Sequence, residues 1–115
     1  MSVTLYGIPN CDTVRKARRW LDVNGIAHAF HDYKKQGIDA ERLARWVDEA
    51  GLEKVLNRSG TTFRKLPEPE REGLDLDRAT AVMLAHPSCI RRPIVEHPGG
   101  LLVGFDEARW AKALL

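Results

Sequence analysis

Cysteine is scarce in this chain: two residues in 115, Cys11 and Cys89. So few thiols cannot staple a small fold, which excludes a disulfide framework in place of a core. No apolar run reaches membrane-spanning length, so no membrane partner is expected. The opening MSVTLYG is too short and strand-like for a signal peptide, and the expected compartment is a reducing cytoplasm. A large excess of one charge is also missing. The 18 Lys+Arg against 16 Asp+Glu leave a formal +2, which argues against nucleic acid as a partner. None of the four histidines (His28, His31, His86, His97) has a cysteine or a second histidine at metal-ligand spacing, so no metal site is expected. There is no repeat, low-complexity tract or linker.

What remains is ordinary globular composition, 43% hydrophobic and 30% charged, with a length that suits a single domain spanning residues 1–115. Residues 3–6 read as a strand bounded by Gly7 and Pro9. A helix follows, capped by Asp12 or Thr13, with Asn10 as an alternative. Val14, Ala17 and Leu21 recur at helical spacing and face the core beside Trp20, while Arg15, Arg18 and Arg19 point elsewhere. Asn24–Gly25 stops this helix, and residues 26–33 read as a second strand.

Two longer helices are expected over 39–50, with Leu43, Trp46 and Val47 inward, and over 75–85, with Leu76, Ala79, Val82 and Met83 inward. Between them, 52–56 reads as a short helical turn, 57–62 as loop, and 67–69 as a break. Residues 93–96 and 101–104 flank His97–Pro98–Gly99–Gly100 as a hairpin. A closing helix begins at Asp106–Glu107, with Trp110 and Leu114 inward. The order β-α-β, helical insert at about 38–86, β-β-α predicts an α/β thioredoxin-like fold. Its mixed sheet has a parallel pair made by a right-handed crossover and extended by the antiparallel hairpin.

Cys11 falls between the first strand and the first helix. A thiolate is the nucleophilic form, and a helix N-terminus favours it through free N–H groups and the dipole. Arg15 would add positive charge and Asp12 would oppose it. Position alone leaves two readings, a reactive thiolate and an inert small residue in a turn. Position 14 is valine, so there is no C-x-x-C dithiol. A redox cycle would use a lone thiol resolved by an external one such as glutathione, or would recruit Cys89, which itself reads as core packing. An anionic partner needs fixed planar cations. Arg64 and Arg92, each at a turn, are the candidates, and Arg91 is an alternative to Arg92.

Three separated stretches, PNCDTVRKA (9–17), NRSGTTFRKL (57–66) and HPSCIRRPIV (86–95), resemble the signature segments of the arsenate reductase (ArsC)/Spx family of thioredoxin-like proteins. NCDT, GTTFRKL and VGFDE (103–107) resemble its small YffB subgroup in particular. The resemblance implies that Cys11 is the redox nucleophile, that Arg64 and Arg92 bind anions, and that Pro93 is a cis-proline beside the cysteine. Asn10, Thr13 and Arg15 join Arg64, Arg92 and Pro93 as the expected substrate- or glutathione-binding set.

Two departures qualify the likeness. Phe105 stands where arsenate reductases carry a further arginine, and Val14 stands where the Spx branch often carries a second cysteine. The expectation is therefore a glutathione-dependent monothiol reductase, a thiol–disulfide oxidoreductase with Cys11 as nucleophile. It would hold no bound cofactor, and its partners would be glutathione or a small thiol or disulfide substrate, and glutaredoxin. Two readings stand beside it: an arsenate reductase using glutathione and glutaredoxin, and an Spx-like, non-catalytic regulator that binds RNA polymerase through the helix of Arg15 to Arg19.

Overall fold

The computed structural model describes residues 2–115 and resolves them into two compact units. One is assembled from the two ends of the chain, up to Gln36 and from Arg92 onward, and the other is Gly37–Arg91.

In the first unit, strand β1 (Thr4–Gly7) runs parallel to β2 (Ala29–Asp32), with Leu5 opposite Phe30 and Gly7 opposite Asp32. On its other side β1 pairs antiparallel with β3 (Ile94–His97), which forms a hairpin with β4 (Gly100–Val103). The sheet order is β2-β1-β3-β4, a mixed sheet with the two chain ends meeting at β1 and β3. Alternation along the strands puts Leu5, Val95 and Leu102 on one face. Val14, Ala17 and Leu21 of helix α1 (Asp12–Val23) and Trp110 of the final helix cover that face, and all seven side chains are buried. Trp20, Phe30 and Phe105 pack around the edge of this core.

Two local features differ from the sequence expectation. Helix α1 has Cys11 at its N-cap, with extended backbone (φ −107°, ψ 126°), rather than Asn10, Asp12 or Thr13. Asp12 is drawn instead into an ion pair with Arg15 one turn on. The second strand is shorter than 26–33 and stops at Asp32. The Asp32 carboxylate accepts the N–H groups of Lys34 (3.1 Å) and Lys35 (3.2 Å) and so caps a single helical turn, α2 (Tyr33–Gln36). That turn carries Tyr33 to a fully buried position. At the far end of α1 the stop forms as expected: Gly25 has φ 68°, and Ile26 N–H reaches back to the Leu21 carbonyl at 2.9 Å.

The second unit is helical: α3 (Ala40–Ala50), α4 (Leu52–Val55), α5 (Thr61–Arg64), α6 (Glu68–Arg71), α7 (Leu76–Ala85) and a 3₁₀ turn, Pro87–Cys89. Asp39 and Asp75 cap α3 and α7 by accepting the N–H of Arg42 and of Arg78, each at 2.8 Å. Leu43, Trp46, Val47, Ala79, Val82 and Met83 are buried. Leu76, expected inward, is 55% exposed, because it opens α7 directly after its cap and lies outside the buried stripe of Ala79, Val82 and Met83. The stretch expected as loop contributes the turn α5. The break at Pro67–Pro69 forms the one-turn α6, with Pro69 near its start, where a missing N–H costs no helical bond. The unit closes through Asn57 N–H to the Cys89 carbonyl (2.7 Å) and Arg91 N–H to the Val55 carbonyl (2.8 Å).

The chain ends in α8 (Glu107–Leu114), which belongs to the first unit. Asp106 caps it, and Trp110 Nε1–H anchors it by donating to the Gly104 carbonyl at 3.0 Å. No helix among the described residues is long and apolar enough to cross a membrane.

Candidate active site

Cys11 sits at the head of α1, half-buried, with one side against the core of the first unit. Its carbonyl accepts the Arg15 N–H at 2.9 Å, so the helix starts from this residue. The thiol makes no capping hydrogen bond of the usual geometry, yet the N–H groups of Val14 and Thr13 face its sulfur. Burial works against the anion here. The Val14 N–H, the hydrogen bond from the Arg92 side chain, the Thr13 N–H and the Arg92 charge together outweigh burial, and the thiol is held below its ordinary value.

Arg92 comes from the other end of the chain, immediately before β3. The Arg92–Pro93 bond is cis, as the resemblance implied, and the Pro93 carbonyl accepts Gly104 N–H at 2.8 Å. The Arg92 guanidinium donates to the Cys11 sulfur and to the Tyr33 hydroxyl. Burial disfavours its charge, but these two partners more than compensate, so the cation is firmly retained. Arg91, which the sequence left as an alternative, is committed within the second unit, where its Nε donates to the Lys54 carbonyl at 2.8 Å. Arg92, not Arg91, is the one hydrogen-bonded to the thiol.

Tyr33 was missed by sequence reasoning. It is fully buried, and burial raises its phenol well above the ordinary value while Arg92 acts in the opposite direction. It therefore stays a neutral phenol that accepts from Arg92. The available signal was topological. Tyr33 follows the C-terminal end of β2, which lies parallel to β1, and Cys11 follows the C-terminal end of β1. Carboxyl ends of neighbouring parallel strands open onto one edge.

The remaining expected residues are distributed as follows. Asn10 is exposed in the turn before α1. Thr13 offers Cys11 its N–H while its side chain is exposed. Arg15 pairs with Asp12, so Arg92 rather than Arg15 is the cation that acts on the thiol. Arg64 ends α5 in the second unit. Phe105 lies edge-on to Trp110 (centroids 4.9 Å apart) and to Trp20 (6.4 Å). Neither cysteine is in a disulfide, and Cys89 is 1% exposed. Among the described residues no group of three or more His, Cys, Asp and Glu could hold a metal ion.

Comparison with known proteins gives a consistent picture. A family model described as the ArsC family matches residues 6–113. The solved structure of a YFFB protein is 53% identical, superposes with a TM-score of 0.96, and covers 99% of this chain and 100% of its own. An arsenate reductase (ArsC) related protein from Brucella melitensis is also 53% identical, with a TM-score of 0.78 over 100% of this chain and 97% of its own. The global transcriptional regulator Spx from Listeria innocua is 31% identical over 91% of this chain and 81% of its own length. The neighbours share the thioredoxin-like fold.

Proposed function

We propose that this protein, which belongs to the ArsC family, is a glutathione-linked monothiol reductase in which Cys11 is the nucleophile. One observation carries the reading: the Cys11 sulfur lies at the head of α1 with the Arg92 guanidinium hydrogen-bonded to it.

In this reading the Cys11 thiolate attacks one sulfur of an oxidised substrate, R–S–S–R′. The Cys11–S–R bond forms as the S–S bond breaks, and R′–S⁻ leaves and takes a proton from solvent. Arg92 stabilises the thiolate before attack and again when it is released. Because Cys89 is buried and there is no neighbouring C-x-x-C thiol, resolution falls to an external thiol. Glutathione thiolate attacks the R sulfur of the mixed disulfide, forming GS–S–R as Cys11 departs as thiolate. A second glutathione thiolate releases R–S⁻ and forms glutathione disulfide, so the two electrons given up by two glutathiones end on the two substrate thiols. Arg92 is also a cation of the right shape for a glutathione carboxylate. Arg64 takes an anion-binding role by resemblance alone.

Mass spectrometry after exposure to oxidised glutathione tests the proposal. A glutathione adduct on Cys11 that vanishes in Cys11→Ser and is removed by excess reduced glutathione supports it. No adduct on Cys11 removes it.

The likeness to Spx favours a second reading, a regulator that binds RNA polymerase without catalysis. Retention of the polymerase by this chain, unchanged in Cys11→Ser and without turnover of any disulfide, would establish it over the enzyme.

A further inference from the structure

Helix α1 carries four basic residues within five positions, and the fold sorts them into two pairs. Arg15 is engaged by Asp12. Arg18 lies over the Phe30 ring with its guanidinium carbon 4.3 Å from the centroid, a cation–π contact. Lys16 and Arg19 make no hydrogen bond, ion pair or ring contact among the described residues. These two uncommitted cations edge a groove of about 280 Å³, together with Trp20, Val23, Phe105 and Glu107.

The groove is built rather than incidental. Lys16, Arg19, Trp20 and Val23 follow the i, i+3, i+4, i+7 spacing that puts side chains on one helix face. Val23 is 79% exposed, one of three large apolar side chains exposed among the described residues. Trp20 and Phe105 are held edge-on to the buried Trp110, which fixes the apolar floor. The volume lies below the roughly 300–1,000 Å³ of small-molecule pockets, which suits one or two side chains rather than a cofactor.

We infer that this groove is a docking site for an acidic peptide segment carrying one large apolar side chain. The apolar side chain lies on Trp20, Val23 and Phe105, and carboxylates of the segment line up along Lys16 and Arg19. Glu107, in the first turn of α8, is the one acidic residue of the lining, so two cations against one carboxylate leave the groove net positive. A second copy of this chain fits less well, because an isologous pairing would set the same cations against each other. The larger groove of the second unit, bordered by Leu76 with Arg45, Asp48 and Asp77, carries both signs and specifies no partner.

The test is an NMR titration of the ¹⁵N-labelled full chain with two ten-residue peptides, one with a central Trp flanked by Asp and Glu and one with Trp flanked by Lys. The acidic peptide should shift the amides of Lys16, Arg19, Trp20, Val23 and Phe105, and bind more weakly as salt rises. Two double variants, each losing two charges, isolate the site. Lys16→Gln/Arg19→Gln should bind about five- to tenfold more weakly, the scale of two exposed ion pairs. Arg15→Gln/Arg18→Gln should stay within about twofold of the parent. The inference is overturned if the acidic peptide leaves those amides unmoved, if the basic peptide binds equally, or if both double variants lose affinity alike. A dimer in sedimentation that Lys16→Glu/Arg19→Glu dissociates would overturn it as well, since the face would then be closed by a second copy.

Discussion

The sulfur of Cys11 and the guanidinium of Arg92 are hydrogen-bonded, although one residue lies near the start of the chain and the other near its end. The thiol therefore depends on a cation that is fixed only when β1 and β3 pair. The same guanidinium is hydrogen-bonded to Tyr33.

The first prediction concerns pH. Because the Cys11 thiol is held below its ordinary value, its alkylation by iodoacetamide should persist at pH values well under the free-thiol value of about 8.5. Arg92→Ala removes a hydrogen bond and a charge that favour the thiolate and leaves the opposing effect of burial. The midpoint of rate against pH should then move upward, and Arg92→Lys should fall between the two. An unmoved midpoint in Arg92→Ala would mean that Arg92 does not set thiol reactivity.

Cys89 should behave as a silent thiol. It is 1% exposed, so oxidised glutathione should modify Cys11 and leave Cys89 untouched in the folded protein. Peptide mapping after brief oxidation reads this directly, and urea should be needed to expose the second site.

Tyr33→Phe removes a hydroxyl from a buried position without opening a large cavity. The folded protein should lose about 1 kcal/mol in a urea melt, the usual worth of one hydrogen bond. The Cys11 alkylation midpoint should rise by less than in Arg92→Ala, since Arg92 remains but is less firmly aimed. A loss of stability with no change in midpoint would make Tyr33 merely structural.

Phe105 bears on the arsenate reading. By resemblance it stands where an arsenate reductase would carry a further arginine, and here it packs edge-on against Trp20 and Trp110. Arsenate should drive no NADPH oxidation in an assay coupled through glutathione and glutaredoxin. Phe105→Arg should lower stability by about 1–3 kcal/mol, because it breaks two aromatic pairings and sets a charge against apolar rings. Arsenate-dependent turnover by the parent protein would reverse this assignment.

Much of the fold was legible because its signals were periodic. Val14, Ala17 and Leu21, and separately Leu43, Trp46 and Val47, announced helices whose faces are buried as their spacing requires. The strand–helix–strand order and the hairpin were enough to specify a mixed sheet. What was not legible depended on single side chains capturing backbone groups. Asp32 ends β2 by accepting two N–H groups, and no alternation pattern shows where such a capture will occur. Tyr33 was hidden for the same reason, since it read as the last residue of a strand. Which of Arg91 and Arg92 faces the thiol depended on contacts distant in sequence: Arg92 with Cys11, and Arg91 with the Lys54 carbonyl. The Asp12–Arg15 pair was visible at i, i+3 spacing, but its consequence was not: it withdraws Arg15 from the thiol.

Assembly of one compact unit from both chain ends has a consequence for the newborn protein. Translation delivers Cys11 well before Arg92, so the emerging thiol has at most the N–H groups of its own helix and lacks its cation. The Arg92 share of its lowered proton affinity arrives only once the last strands have been made and paired. Full reactivity of Cys11 would then report that the two ends of the chain have come together. Labelling of Cys11 in ribosome-stalled chains, short of and beyond β4, would show the change as a step.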